Sequence, residues 1–75
     1  MKKRAKNLIF ETVGQNVSSY RAKKGMTQEA LGASVGLTAN YIACVERGER
    51  GASIEGLVKM AEALDCKLVD LLKGL

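Results

Sequence analysis

Three glycines divide the middle of this chain into short segments, and they restrict its fold more than any other feature. Gly25, Gly36 and Gly48 lie at nearly equal intervals, and each follows a run of residues with helical apolar spacing. Because glycine has no Cβ, it adopts at little cost the left-handed conformation that ends many helices. The spacing therefore predicts short helices that stop at each glycine, instead of one long helix.

Apolar periodicity predicts five helices joined by short turns. Val13, Val17 and Tyr20 are spaced at i, i+4 and i+7, which indicates a first helix over roughly residues 8–24. Hydroxyl residues that commonly cap helices precede the next three segments: Thr27, Thr38 and Ser53. A last short segment covers residues 68–72. Since no stretch alternates as a strand does, the expected fold class is all-α.

The middle segments each carry an apolar side. The second segment has Leu31 and Val35, and the third has Ile42 and Val45. The fourth has the clearest pattern: Ile54, Leu57, Val58, Ala61 and Leu64. Two short helices around a turn that contains glycine fit a helix-turn-helix, but such a pair also occurs in ordinary helical bundles. The spacing alone leaves both interpretations open.

Composition excludes several kinds of site. The chain has no histidine, and its cysteines, Cys44 and Cys66, lack the C-x-x-C spacing of metal ligands. No nucleophile lies near a candidate base, and the glycine-rich GERGAS lacks the Lys-Ser/Thr that ends a phosphate-binding loop. We therefore expect no enzyme, no metal, no cofactor and no small-molecule ligand.

Length and charge indicate a small cytoplasmic protein. The 75 residues suffice for one domain with a thin core, and no apolar run approaches the length of a signal peptide or a membrane helix. We therefore expect a cytoplasmic location, no contact with membranes and two free thiols, not a disulfide. The net charge of +4 fits a polyanionic partner, and solubility explains it equally well.

Several motifs follow one another in a fixed order along residues 13–73. They are Arg21, Gly25, TQEAL at 27–31, Gly36, YI at 41–42, ERG at 46–48 and SIEGLVKMAEAL at 53–64. Together they resemble the phage-repressor-type helix-turn-helix family, also described as Cro/C1 or XRE-like. Two departures occur. Gly51-Ala52 stands where Asn-Pro is common, and Gly32 stands where alanine usually packs, which costs the second helix up to about 1 kcal/mol of propensity.

This resemblance implies a compact five-helix domain of the lambda-repressor type over residues 8–75, with a basic tip at 1–7. The second and third helices would form the helix-turn-helix, with the third in the major groove of double-stranded DNA. The implied function is that of a prokaryotic or phage-encoded transcriptional regulator. It would most simply be a repressor that binds a palindromic operator as a homodimer. An antitoxin or adaptor that acts through a protein partner is the alternative.

The family pattern implies DNA contacts from the second and third helices. Gln28 would bond a phosphate. Thr38, Ala39, Asn40 and Cys44 would face the groove, with Thr38 also serving as the helix cap. Asn40 is the strongest candidate for base recognition, because its amide can pair with N6 and N7 of adenine.

Further contacts are implied by Tyr41 in the third helix and by the loop that follows this helix. Tyr41 would either contact a phosphate or lie against the domain. Arg47 and Arg50 would lie beside the sugar–phosphate backbone, whereas Glu49 would repel it unless its side chain points outward. The basic tip at residues 1–7 would either follow a groove of the DNA or only solubilise the chain.

Two further features concern assembly of the domain. The resemblance implies an ion pair between Arg21 and Glu46 that holds the third helix in place. The last helix carries more apolar side chains than a short terminal segment needs. We therefore expect Val69, Leu72 and Leu75 to be exposed in a monomer and to form the dimer interface.

Overall fold

The computed structural model describes residues 7–75, and five helices without any strand are found in this range. The helices are α1 Leu8–Lys24, α2 Gln28–Val35, α3 Ala39–Glu46, α4 Ile54–Ala63 and α5 Leu68–Leu71. The predicted all-α class is confirmed. None of the described helices is long and apolar enough to cross a membrane.

The proposed basic tip falls almost entirely outside the described residues, since residues 1–6 are not among them. Asn7, which we counted as part of the tip, is the N-cap of α1. Its side-chain oxygen accepts a hydrogen bond from the backbone N–H of Phe10 at 3.1 Å. The ordered helix is therefore capped by the last residue of the proposed tip.

Local capping explains where the helices begin and end. The side-chain oxygens of Thr27, Thr38 and Ser53 each accept a hydrogen bond from the backbone N–H three residues later, at 2.9–3.0 Å. The glycines at the three predicted stops have φ angles of 73–75°: Gly25, Gly36 and Gly48. These are short-range interactions, which is why the sequence predicts the helix bounds well.

The core lies between the helices, and every helix contributes to it. Each helix contributes one fully buried apolar side chain, except α3, which contributes two: Val17, Leu31, Ile42, Val45, Met60 and Leu71. In α4 the buried stripe includes Leu57, Met60 and Ala61, whereas Ile54 and Val58 of the predicted pattern are exposed. Periodicity identified the apolar side of α4, but it did not show that neighbouring helices cover only part of that side.

Gly14 allows α1 and α3 to pack closely. A Cβ atom at this position would lie 2.2 Å from the carbonyl oxygen of Val45 and 2.8 Å from that of Glu46. Both are backbone atoms at the end of α3. The contact therefore fixes the distance between α1 and the C-terminal end of α3.

Two long-range interactions attach the ends of helices to the rest of the domain. The amide nitrogen of Asn16 donates to the carbonyl oxygens of Leu71 and Lys73, both at 2.9 Å, and so satisfies carbonyls left free at the end of α5. Lys24 forms an ion pair with Asp65, which follows α4 in a left-handed conformation with φ of 57°. Spacing in the sequence indicated neither interaction.

Candidate nucleic-acid interface

The turn between α2 and α3 is tight, and Gly32 lies directly against its backbone. The backbone N–H of Leu37 donates to the carbonyl oxygen of Gly32 at 2.8 Å. A Cβ atom on Gly32 would lie 2.6 Å from the carbonyl oxygen of Leu37 and 3.1 Å from the carbonyl carbon of Thr38. The glycine that seemed only a cost to helix propensity therefore gives the turn space that an alanine would fill.

Helix α3 has one buried side and one exposed side. Ile42 and Val45 are buried in the domain, and Asn40 is exposed. Cys44 is half-buried and lies one helical turn beyond Asn40, so the two share a face. Of the predicted groove-facing residues, Asn40 and Cys44 share one side of α3, and Thr38 and Ala39 lie at its N-terminal end.

Thr38 and Ala39 lie where α3 begins. Thr38 is exposed, and its Oγ1 accepts a hydrogen bond from the backbone N–H of Tyr41 at 3.0 Å. A hydroxyl that accepts one hydrogen bond still has its own proton to donate. Thr38 can therefore cap α3 and also donate to a phosphate oxygen. Ala39 is half-buried beside it.

Tyr41 packs against the loop that follows α3. Its hydroxyl donates to the carbonyl oxygen of Gly51 at 3.4 Å. The guanidinium of Arg50 lies over the tyrosine ring, 5.1 Å from its centroid, which is within the range of a cation–π interaction. The Tyr41 side chain packs against the domain, which is one of the two alternatives, and its contact with a phosphate stays a prediction. This packing also gives Arg50, an exposed cation, a defined position.

An ion pair joins α1 to the end of α3. Arg21 Nε lies 2.6 Å from Glu46 Oε2, and Arg21 Nη2 lies 3.0 Å from Glu46 Oε1. The side chains are largely buried, with exposed fractions of 19% for Arg21 and 6% for Glu46. Hydrogen bonding to Glu46 raises the pKa of Arg21, against the opposing effect of burial. Arg21 Nη1 also donates to the carbonyl oxygen of Met26 at 2.8 Å, just before α2.

Gln28 belongs to the same network. Its amide nitrogen donates to Glu46 Oε1 at 3.0 Å. Because a primary amide carries two N–H groups, this bond leaves one donor of Gln28 to be satisfied elsewhere. The network of Arg21, Glu46 and Gln28 therefore links three helices and places an amide at the start of α2.

Arg47 and Glu49 form a bidentate ion pair in the loop after α3. Arg47 Nε lies 2.9 Å from Glu49 Oε2, and Nη2 lies 3.0 Å from Oε1. The hydrogen bond to Glu49 raises the pKa of Arg47. Arg47 Nη2 also donates to Cys44 Sγ at 3.6 Å. The sequence left the direction of Glu49 open, and the structure turns its carboxylate toward Arg47.

A second surface is largely apolar, and it reaches the loop after α3, since Arg50, Gly51 and Ala52 are among its lining residues. A groove of about 300 Å³ is lined by side chains that include Ile9, Phe10, Val13, Leu57, Leu72 and Leu75. Ile54 lines it too, and Ile9, Ile54 and Leu75 have exposed fractions of 58%, 63% and 63%. The sequence pattern did not indicate Ile9, and it placed Ile54 on the apolar side of the fourth helix. Their exposure depends on which helices lie beside them, and no local pattern encodes it.

The residues of the predicted dimer interface differ in exposure. Val69 is 66% exposed on α5, and Leu75 is similarly exposed. Leu72 is half-buried because it lines the groove, and it is therefore less exposed than we expected. The apolar surface therefore extends from α5 across the groove to the beginnings of α1 and α4.

Comparison with known proteins adds evidence independent of this geometry. The helix-turn-helix family model HTH_3 matches residues 17–71. The control protein C.SmaI of Serratia marcescens is 39% identical over 64 residues, which cover 85% of this chain and 76% of that protein.

Two solved structures are similar over most of the chain. The restriction–modification controller protein C.AhdI from Aeromonas hydrophila has a TM-score of 0.82 at 35% identity and covers 87% of this chain and 98% of its own. The P22 c2 repressor, solved in complex with a synthetic operator, has a TM-score of 0.77 at 35% identity and covers 84% and 96%. These matches confirm the resemblance found in the motifs, and the chain is a member of the HTH_3 helix-turn-helix family.

Proposed function

We propose that this protein, a DNA-binding transcriptional regulator, binds a palindromic operator as a homodimer and represses transcription by occupying it. The observation that carries the proposal is the exposed side of α3. That side holds Asn40 and Cys44, while Ile42 and Val45 anchor the opposite side in the core. Similarity to two controller proteins and to a repressor solved with an operator supports the same function.

Base recognition is assigned to the N-terminal half of α3. Asn40 is exposed there and can form two hydrogen bonds with adenine in the major groove. The methyl group of Ala39 suits contact with a thymine methyl, and the Thr38 hydroxyl suits a phosphate. Cys44, one turn further along α3, would make a packing contact with the edge of a base pair.

Phosphate binding is assigned to residues that flank α3. Gln28 retains an amide N–H at the start of α2, and Arg50 is an exposed cation held over the ring of Tyr41. Because the Tyr41 hydroxyl already donates to Gly51, we assign Tyr41 the role of positioning Arg50. These contacts would orient α3 on the DNA without recognising sequence themselves.

The dimer is assigned to the apolar groove and the adjoining surface of α5. Val69 and Leu75 are exposed, Leu72 lines the groove, and Ile9 and Ile54 extend the same surface. Exposed apolar patches of this kind are typical of contact sites between proteins. A two-fold dimer of helix-turn-helix domains places its recognition helices about 34 Å apart, which is one turn of DNA.

Selection from a random duplex library tests this function. We expect the wild-type protein to enrich an inverted repeat whose half-sites lie about 10 base pairs apart. In a parallel selection, Asn40→Ala should lose its preference at one position in each half-site, because only the adenine contact is removed. The sequence of the bound duplexes is the measurement.

The matched control for this selection is Ser19→Ala, an exposed polar position on α1, which should return the wild-type repeat. Enrichment of a single half-site would contradict the dimer. An unchanged preference profile for Asn40→Ala would remove Asn40 from base recognition. No enrichment of any sequence would contradict the proposed function itself.

Action through a protein partner is the second candidate function, and the exposed apolar groove is the observation in its favour. Salt dependence separates the two candidates. A protein that neutralises Z phosphates shows log K falling against log salt with a slope of about −0.9Z. Weak binding with little dependence on salt would favour the partner protein.

A further inference from the structure

The loop after α3 contains two arginines in different electrostatic settings. Arg50 lies over the Tyr41 ring, where its charge remains available to a phosphate. Arg47 forms a bidentate ion pair with Glu49, with N–O distances of 2.9 and 3.0 Å. Both members of this pair are more than half exposed, so the pair lies at the surface of the domain.

Arg47 also lies close to the proposed DNA-contacting side of α3. Its Nη2 is 3.6 Å from Cys44 Sγ, which shares that side with Asn40. Arg47 also lines a polar groove together with Glu11, Gln15, Glu46 and Glu49. The cation is therefore beside the proposed interface but in an acidic environment.

We infer that Glu49 competes with DNA phosphates for Arg47 and so lowers the affinity of the protein for its operator. This inference rests on the proposed DNA-binding function. In the free protein the carboxylate of Glu49 occupies the same guanidinium donors that would hold a phosphate. In the free protein the Arg47 guanidinium is therefore not available to bind a phosphate, because it is paired with Glu49.

The salt dependence of binding follows from this competition. An arginine that is neutralised within the protein displaces no counterion from DNA, whereas a released arginine adds about 0.9 to the magnitude of the slope of log K against log salt. Exposed ion pairs are weak and change an equilibrium constant by up to about fivefold. Releasing Arg47 should therefore raise affinity moderately and steepen the salt dependence distinctly.

Glu49→Gln tests the inference on a selected operator duplex, with binding followed by fluorescence anisotropy at several salt concentrations. We expect binding about three- to fivefold tighter per subunit than wild type and a slope steeper by about 0.9 per subunit. The matched control is Glu62→Gln, which removes the same charge from an exposed position on α4. The control should keep the wild-type slope.

Arg47→Ala identifies the cation responsible. Alone it should change affinity by less than about twofold, because the wild-type arginine is already paired. Combined with Glu49→Gln it should abolish the gain in affinity and in slope. If Glu49→Gln behaves like Glu62→Gln while wild type binds the operator with normal salt dependence, the inference is wrong and the proposed function stands. If wild type forms no specific complex, both fail.

Discussion

Replacing Arg21 with methionine is expected to destabilise the domain by about 2–4 kcal/mol. The substitution leaves the Glu46 carboxylate, which is 6% exposed, without its cationic partner. Removing one member of a largely buried ion pair is unfavourable because the remaining charge is kept mostly away from water. Gln28 remains as a hydrogen-bond donor to Glu46, but it supplies no charge. The free energy of unfolding, measured by urea denaturation, gives the result.

Arg47→Met is the matched control, because it removes the same side chain from an exposed pair in the same part of the molecule. It should leave the free energy of unfolding close to that of wild type, because exposed ion pairs contribute little to stability. The double variant Arg21→Met with Glu46→Met should recover part of the loss, since no buried charge then remains. Equal stabilities for Arg21→Met and Arg47→Met would contradict the role assigned to the buried pair.

Gly14→Ala is expected to have an effect of similar size. Helix propensity alone favours alanine over glycine by up to about 1 kcal/mol. The added Cβ would, however, lie 2.2 Å from the carbonyl oxygen of Val45. Because a backbone atom cannot move without shifting α3, we expect a net loss of about 2–3 kcal/mol. Thermal or urea unfolding determines the sign, and operator binding should weaken as α3 is displaced.

Gly56→Ala in α4 serves as the control for Gly14→Ala. There the nearest atom to an added Cβ is the side-chain oxygen of Ser53, at 3.2 Å. That oxygen also accepts the capping hydrogen bond from the Gly56 N–H, and a shift of a few tenths of an ångström would relieve the contact without breaking this bond. The stability should therefore change by less than about 1 kcal/mol in either direction. If Gly14→Ala proved as stable as wild type, the close packing of α1 on α3 would not be what positions α3.

Much of the fold could be predicted because its determinants are local. Thr27, Thr38 and Ser53 cap helices three residues away, and Gly25 and Gly36 end them. Such interactions depend on a few neighbouring residues and are visible in one sequence. The packing of helices on one another depends on distant residues. Periodicity therefore identified the apolar side of α4 but not the exposure of Ile54.

The candidate site was predictable in outline, because the motifs place α3 and its flanking residues. The partners of individual side chains were not predictable. Tyr41 donates a hydrogen bond to Gly51, and Arg47 donates one to Glu49. Both depend on the conformation of the loop after α3, which residue spacing in the sequence does not predict. The role of Gly32 could not be predicted from the sequence either. By helix propensity it is a defect, whereas in three dimensions it makes room for the turn.

The reactivities of the two cysteines can be compared within one molecule to test whether α3 contacts DNA. Cys44 lies on the side of α3 proposed to enter the major groove, and Cys66 lies between α4 and α5. Both are free thiols and half-buried. Burial raises the pKa of the Cys66 thiol, and the nearby Asp70 and Asp65 add to this effect. Cys66 should therefore react slowly with alkylating reagents, because the thiolate is the reactive form.

The most direct test of the account is the alkylation rate of each cysteine with and without a selected operator duplex, measured by mass spectrometry after iodoacetamide treatment. With duplex at about ten times its Kd, Cys44 should react about tenfold more slowly, while the rate at Cys66 stays unchanged. A non-specific duplex at the same concentration should protect Cys44 less. An unprotected Cys44 in a saturated operator complex would contradict the claim that this side of α3 contacts the DNA.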